Sequence, residues 1–321
     1  MAITELHTGH SISFDSTSIT QLGSLSYGTN AETLEGFSTG CPEIFFQGML
    51  SQPIEFSFST SQLQSVFVSM DESNFYTVCP GGITTIDYRE VENCGIRFPR
   101  GMATHIKAAV GEALIVIDSL EASGDGEATV DGRIYPIFDG SNVPVIWTDG
   151  VVLPDPCHFD QVYVVGPYFV FGEALVNGVQ RLRIDFNTEL LRHSDRGDLW
   201  DSFIAIKSHA PVITVDAFQM DQIFAVPVSG RSIGGESPPD SARFFLRRMI
   251  NLSDDTFDGR YQDGEARHIR FECLAALHHV SEASYSGPNE EVILTYNFHC
   301  VAPVEATAPM DVAVDVVIAP P

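Results

Sequence analysis

Basic residues are scarce in this chain. Seventeen Lys and Arg stand against 43 Asp and Glu over 321 residues, a formal net charge of −26. Nucleic-acid binding rests on basic groups that displace counterions from phosphate, so a chain this acidic is not built to grip DNA or RNA. An acidic wall is suited to letting DNA pass without holding it, although acidity also simply keeps a protein soluble. Ordered cysteine motifs are absent too. Cys41, Cys79, Cys94, Cys157, Cys273 and Cys300 form no CxxC pair, and no Cys/His group has zinc spacing. They read as free, mostly buried thiols of a reducing compartment. Met1–His10 has no basic start followed by an apolar run, so no secretory leader is expected. No stretch approaches 18 apolar residues, which excludes a helical membrane span and any membrane partner of that kind.

What is present is a β pattern. Hydrophobic residues make up 44% of the chain, enough for a sizeable core, and Phe (22) far outnumbers Trp (2). Short apolar runs of period two recur at Glu43–Leu50, Ile54–Phe58, Leu114–Asp118, Gln161–Phe171 and Val179–Phe186. More follow at Ser202–Lys207, Val212–Val215, Glu291–Val301 and Asp311–Ile318. They are rich in Val, Ile, Phe and Tyr and bounded by Gly, Pro, Asn, Asp and Ser, the signature of a sandwich or barrel. The expected fold is therefore all-β with a minor helix in each half. Asp240 or Ser241 is placed to cap a helix over Ser241–Leu252, with Phe244, Phe245, Met249 and Leu252 on its apolar side. A shorter helix is expected near Glu90–Asn93 or Met102–Ala109.

The chain also repeats itself. Ser18–Phe67 and Leu175–Phe224 share an order of strand, polar loop, apolar strand, polar break, Pro and alternating strand, then a short Gln-containing segment ending in Phe. Phe45 falls on Phe203 and Pro53 on Pro211 at one common offset, and Phe67 meets Phe224 after a slip of one residue. The endings Val151–Pro154 and Val316–Pro320 have the same apolar-then-Pro form. Two tandem β domains are expected, residues 1–155 and 156–321, joined at Leu153–Cys157. Residues 1–155 hold 5 Lys/Arg and 20 Asp/Glu, and the remainder 12 and 23, so both halves are acidic.

The segment Arg181–Val215, LRIDFNTELL…LWDSFIAIKSHAPVITV, resembles the tail tube proteins of long-tailed bacterial viruses, and Leu25–Phe58 looks like a degenerate copy. The resemblance implies two packed sheets with a flanking helix in each domain. It implies six domains to a ring, an inner β-barrel channel, and rings stacked through loops and arms. A duplicated chain would close such a ring as a trimer of pseudo-sixfold symmetry. Its partners would be further copies of itself and other tail proteins. DNA would transit the lumen without specific binding. The protein would reside in the virion tail, after assembly in the host cytoplasm. The polar loops Gly28–Gly40 and Asn187–Asp198 are candidates for ring-to-ring contact, with Asn187 and Asp198 as interface residues. Arg243, Arg247 and Arg248, with Phe244, form the other candidate interface, because cations in so acidic a chain seek carboxylates on a neighbour. Other ring-forming tail parts are an alternative. So is a two-domain adhesin or carbohydrate-binding protein, against which two Trp and the lack of a leader count.

Signals for catalysis are weak. Gly230-Arg231-Ser232-Ile233-Gly234 fits the G-x-S-x-G pattern. A nucleophile elbow, however, needs a helix immediately after the Ser within an α/β chain, and here Gly235, Pro238 and Pro239 intervene. Asp254-Asp255…Asp258 lacks the spacing of a calcium loop, and Gly124-Asp125-Gly126 lacks the basic residue of a phosphate cradle. No catalytic residue, metal or cofactor is expected.

Overall fold

A computed structural model of the chain describes residues 6–14, 17–37, 44–70, 77–79, 82–91, 97–124, 126–155, 161–170, 174–176, 178–195, 197–218, 231–233, 242–249, 263–284, 293–302 and 308–318. These residues form twenty-four strands and one short helix. The all-β fold class is correct, and each of the nine apolar runs named above contains a strand or part of one among its described residues. In the first half the strands are β1 (Leu6–Phe14), β2 (Thr17–Ile19), β3 (Leu22–Thr29), β4 (Glu32–Phe37), β5 (Ile44–Ser51) and β6 (Ile54–Thr60), followed by helix α1 (Leu63–Val68). Then come β7 (Thr77–Val78), β8 (Thr84–Val91), β9 (His105–Val110), β10 (Glu112–Ser123), β11 (Thr129–Ile137) and β12 (Val145–Val151). The second half contains β13 (Tyr163–Val170), β14 (Ala174–Val176), β15 (Val179–Asp185), β16 (Thr188–His193), β17 (Phe203–His209) and β18 (Val212–Ala217). It ends with β19 (Arg231–Ile233), β20 (Ala242–Arg248), β21 (His268–Cys273), β22 (Ala276–Ser284), β23 (Ile293–Cys300) and β24 (Met310–Val316).

The strands fall into matching sets. One five-stranded sheet has the order β12-β9-β8-β1-β2, and another has β24-β21-β20-β13-β14, the same order one repeat later. The large sheet runs β3-β6-β11-β10-β15-β18-β23-β22-β19. Its first four strands correspond in order to β15-β18-β23-β22. Irregularities recur as well. Pairing slips between Ile117 and Ser119 on β10, and between Val280 and Glu282 on β22. It slips between Leu22 and Ser24 on β3, and between Val179 and Arg181 on β15. A positive φ occurs at Gly150 on β12 and at Asp315 on β24, each just before the last paired residue of its strand, Val151 or Val316. A bulge re-aims a strand and fixes its register, so repeated bulges are a stronger sign of common architecture than strand order alone. They also show that the true match places Ile54, not Pro53, opposite Pro211 in sequence, one residue from the expected alignment.

Alternation explains the strands of the large sheet. On β6, Ile54, Phe56, Phe58 and Thr60 point into the core, while Glu55, Ser57 and Ser59 point away from it. Successive strand residues face opposite sides, so one sheet face becomes hydrophobic and the other polar. The core faces of the large sheet and the two five-stranded sheets merge into one cluster that includes Phe14, Phe56, Phe67, Phe244, Phe271 and Phe298. Helix α1 binds the halves together: Phe67 meets the ring of Phe271 at 5.5 Å, and Gln64 donates to Asp315 at 2.9 Å.

Three expectations are corrected. Residues 242–248 are strand β20, not a helix. Phe244 packs inward on Tyr168, while Phe245 packs on the other face with Phe169 and Ile318. Pairing with β13 and β21 on both sides outweighs the local cap signal. Residues His105–Val110 are strand β9, which overturns a helix over Met102–Ala109, while residues 92–96, including Asn93 of the other expected short helix, lie outside the described residues. Cys273 and Cys300 are bonded as a disulfide that ties β21 of a five-stranded sheet to β23 of the large one, with Cα atoms 5.7 Å apart, so they are not free thiols. Cys79 is free and exposed rather than buried. Cys41, Cys94 and Cys157 lie outside the described residues.

Candidate assembly interface

The centre of the large sheet is a junction between the two halves. β10, the last strand of the first set, pairs antiparallel with β15, the first strand of the second. Ser119 lies opposite Asp185, Leu120 opposite Ile184, and Glu121 opposite Arg183. The seam is sealed at both ends by backbone bonds, Gly124 N–H to Gln180 O at 2.8 Å and Phe186 N–H to Asp118 O at 2.9 Å. Across it, Arg181 pairs with Glu121 at 2.9 Å. Each counterpart of these two edges is left at an end of the sheet. β3, the equivalent of β15, pairs with β6 alone among the described strands. β22, the equivalent of β10, pairs with β23 on one side and is met on the other by β19 over Ala276–His278 only. Glu282–Ser284 therefore has no second described strand. β7 covers the corresponding start of β10 in the same way. An open edge offers a row of backbone donors and acceptors to another chain.

The face of this sheet turned away from the core is charged. Glu55, Asp118, Glu121, Asp131, Asp185 and Asp216 lie on it with Arg133, Arg181 and Arg183. Each of these cations is held in an ion pair. Asp118 grips Arg133 through two bonds of 2.6 and 2.7 Å, which holds that guanidinium firmly charged. Arg183 pairs with Asp185 at 2.8 Å. Carboxylates outnumber cations, so the face as a whole repels phosphate.

Part of this face is apolar and is covered. Strands β16 and β17 form a two-stranded arm that leaves the second half and lies over β10 and β11 of the first. Leu190, Ile204 and Ile206 of the arm pack on Leu114, Val116 and Tyr135. Arg192 sits 4.9 Å from the centre of the Tyr135 ring, and it pairs with Asp201. Burial pushes the Tyr135 phenol well above its ordinary pKa, so it stays neutral under the arm. The arm tip bonds to the first half through Phe138 N–H to Asp201 O at 2.8 Å and through Gln52 N–H to Leu199 O. Trp200 meets the Phe138 ring at 5.2 Å.

The expected interface residues divide into two places. Asn187 and Asp198 both belong to this arm. Asn187, at φ 47°, anchors its root by donating to Ala210 O at 3.1 Å, and Asp198 lies near its tip. Gly28–Gly40 and Asn187–Asp198 are not plain loops: they contain β4 and β16, the first strands of two arms. The Arg243 group is elsewhere, on β20. Arg243 pairs with Glu272 at 3.2 Å and Arg247 with Asp263 at 2.7 Å, within the same chain. Arg248 places its backbone N–H on the buried His268 at 3.1 Å. Phe244 has no exposed surface. Sequence reasoning missed the β10–β15 junction, because hydrophobic alternation identifies a strand but not its neighbour. Ser232 lies on β19 opposite Leu277, and residues 219–230 and 234–241 on either side of that strand, like Asp254–Asp258, lie outside the described set. Among the described residues no cluster of His, Cys, Asp and Glu is grouped to hold a metal, and no helix is long and apolar enough to cross a membrane. No protein family matches the chain, and no curated protein matches it.

Proposed function

We propose that this chain is a structural subunit that joins head to tail through its large sheet, closes into a ring, and stacks as the tail tube of a long-tailed bacterial virus. The observation that carries the reading is the β10–β15 junction. It joins one repeat to the next inside the chain and leaves the same two edges at the chain's ends. Repeating the operation between chains pairs β22 of one copy with β3 of the next. The internal register sets the partners: Glu282 opposite Gly28, Ala283 opposite Tyr27, and Ser284 opposite Ser26. A contact of this kind is heterologous, and when it closes it makes a ring and removes the open edges of the large sheet. Three chains supply six repeats, the number that the resemblance implies. The charged face then lines the channel, where its carboxylates keep DNA from adhering. The function is structural, with no catalytic step.

The test is a cysteine pair, Ser26→Cys with Ser284→Cys, in a Cys79→Ser background. The two positions sit at opposite ends of one chain's sheet, so a disulfide between them joins two chains. Oxidation should give a ladder that ends at a closed trimer on non-reducing gels, with hollow rings or tubes in negative stain. Neither single variant should give it. Monomers from the double variant at every concentration would sink the reading.

A further inference from the structure

The first half has an arm of its own. β4 and β5 pair as β16 and β17 do, and both hairpins slip register at the same place, beside Met49 in one and Ile206 in the other. By this pairing Thr33 corresponds to Leu190, Glu35 to Arg192, Gln47 to Ile204 and Met49 to Ile206. The second arm is packed on the repeat before its own. The first arm has no earlier repeat within its chain, and Thr33, Glu35, Gln47 and Met49 are all exposed. The surface equivalent to the one under the second arm lies on β22 and β23. There His299 takes the place of Tyr135, Val301 that of Ile137, and the β22 positions matching Leu114 and Val116 are Leu277 and His279. His299 and Val301 are exposed.

We propose that the β4–β5 arm docks on the β22–β23 face of a second copy of this chain, with Met49 toward Val301 and Glu35 toward the His299 imidazole. The inference rests on the head-to-tail reading, since only that arrangement sets a β22–β23 face beneath the first arm. The chemistry of the two contacts differs in sign. Inside the chain, a cationic arm lies over an aromatic ring beside carboxylates, with Arg192 within 3.8 Å of Glu55. Between chains, an acidic arm meets imidazole, and Val212 stands where Glu55 stands in the first repeat. Neither arm suits the other's face: Arg192 would lose Glu55, and Glu35 would meet Glu55 and Asp118. The internal contact is apolar and permanent, while the external one is more polar, as suits a surface exposed before assembly.

The experiment uses the full-length chain with Cys79→Ser and a short bismaleimide. Glu35→Cys with His299→Cys tests the arm, and Ser26→Cys with Ser284→Cys tests the edge in parallel, with each single variant as control. Both pairs should give cross-linked species between chains that the single variants lack. Linkage of the edge pair without the arm pair would overturn the docking and leave the ring reading standing. Linkage of neither would overturn the ring reading and the docking with it. A second measurement addresses Glu35 itself. Glu35→Arg should reduce the assembled fraction severalfold at limiting concentration without shifting the unfolding temperature of the free chain, and an unchanged assembled fraction would remove Glu35 from the contact.

Discussion

The two halves of this chain have the same backbone plan and differ in how they fill it. Strand order, the bulges of β10 and β22, and the positive φ at Gly150 and Asp315 are kept in both. Side-chain volume is not. In the first half, Gly132 on β11 lies opposite Phe58 on β6. In the second, the matching pair is Tyr296 on β23 and Val215 on β18. The bulky ring has moved from one strand to its neighbour. A disulfide, Cys273–Cys300, stands where the first half has Val110 and Pro136. One arm is apolar beneath and packed, while the other is polar and exposed. Geometry that sets register tolerates little change, whereas a core accepts redistribution if total volume is kept.

The largest effect is expected from disturbing that exchange of volume. A Cβ on Gly132 would lie 2.6 Å from the Phe58 ring and 3.0 Å from the Val116 carbonyl. Gly132→Tyr alone should cost about 3 kcal/mol or more by overpacking, and Phe58→Val alone about 2–3 kcal/mol through the cavity it leaves. Together they recreate the second half's solution in the first. Urea unfolding of the double variant should show coupling of about 2 kcal/mol in its favour. Gly132→Ala with Phe58→Val is the milder cycle if the tyrosine variant does not fold. Costs that simply add would mean that the halves reached their packing independently.

The two arms should also respond differently to acid. His209, at the end of β17, lies 3.0 Å from the Thr188 hydroxyl, and burial pulls its pKa down to about 4. Its counterpart in the first arm is Gln52, which does not titrate. An unfolded His binds a proton near pH 6.5, well before the folded one accepts it. Stability from this site is therefore complete above pH 6.5, falls as the pH drops toward 4, and levels off below that. The loss is on the order of 2–3 kcal/mol at most. His209→Gln should flatten this part of the pH profile of the unfolding free energy. An unchanged slope between pH 6.5 and 4 would mean that the arm is already open to water there.

Much of this was legible from the sequence, and the failures share a cause. Ile54–Phe58, Val179–Phe186 and Val212–Val215 read as plain strands because one face is buried and the other wet, which leaves a period of two. β20 broke that rule: both of its faces are covered near Phe244 and Phe245, the period is lost, and Pro238-Pro239-Asp240 supplied a helix-like start. The Cys273–Cys300 bond could not be deduced from spacing, since six cysteines allow many pairings. The first strand of each arm, β4 and β16, reads as a polar loop in the sequence because Glu32, Thr33 and Glu35, like Thr188, Glu189 and Arg192, are polar. The β10–β15 junction depends on which edges meet, and that is a property of three-dimensional packing rather than of any one segment.

The smallest effect tests the feature that the halves share most closely. His105 on β9 and His268 on β21 are both fully buried. The Nδ1 of His105 accepts the backbone N–H of Glu90 at 3.1 Å, and the Nδ1 of His268 accepts that of Arg248 at the same distance. With Nδ1 accepting, the proton sits on Nε2, which in His105 donates to Pro99 O at 3.1 Å. In each half one imidazole thus satisfies a backbone donor beside the end of β8 or β20. His105→Leu and His268→Leu keep the bulk but orphan that N–H, at a cost of about 1–2 kcal/mol each. Equal losses in urea unfolding, with faster hydrogen exchange at Glu90 and Arg248 respectively, are expected of one device used twice. A much smaller loss at His268 than at His105 would show that the two imidazoles are not one device, because the Cys273–Cys300 bond sits at the opposite end of β21 and cannot take over the Arg248 N–H.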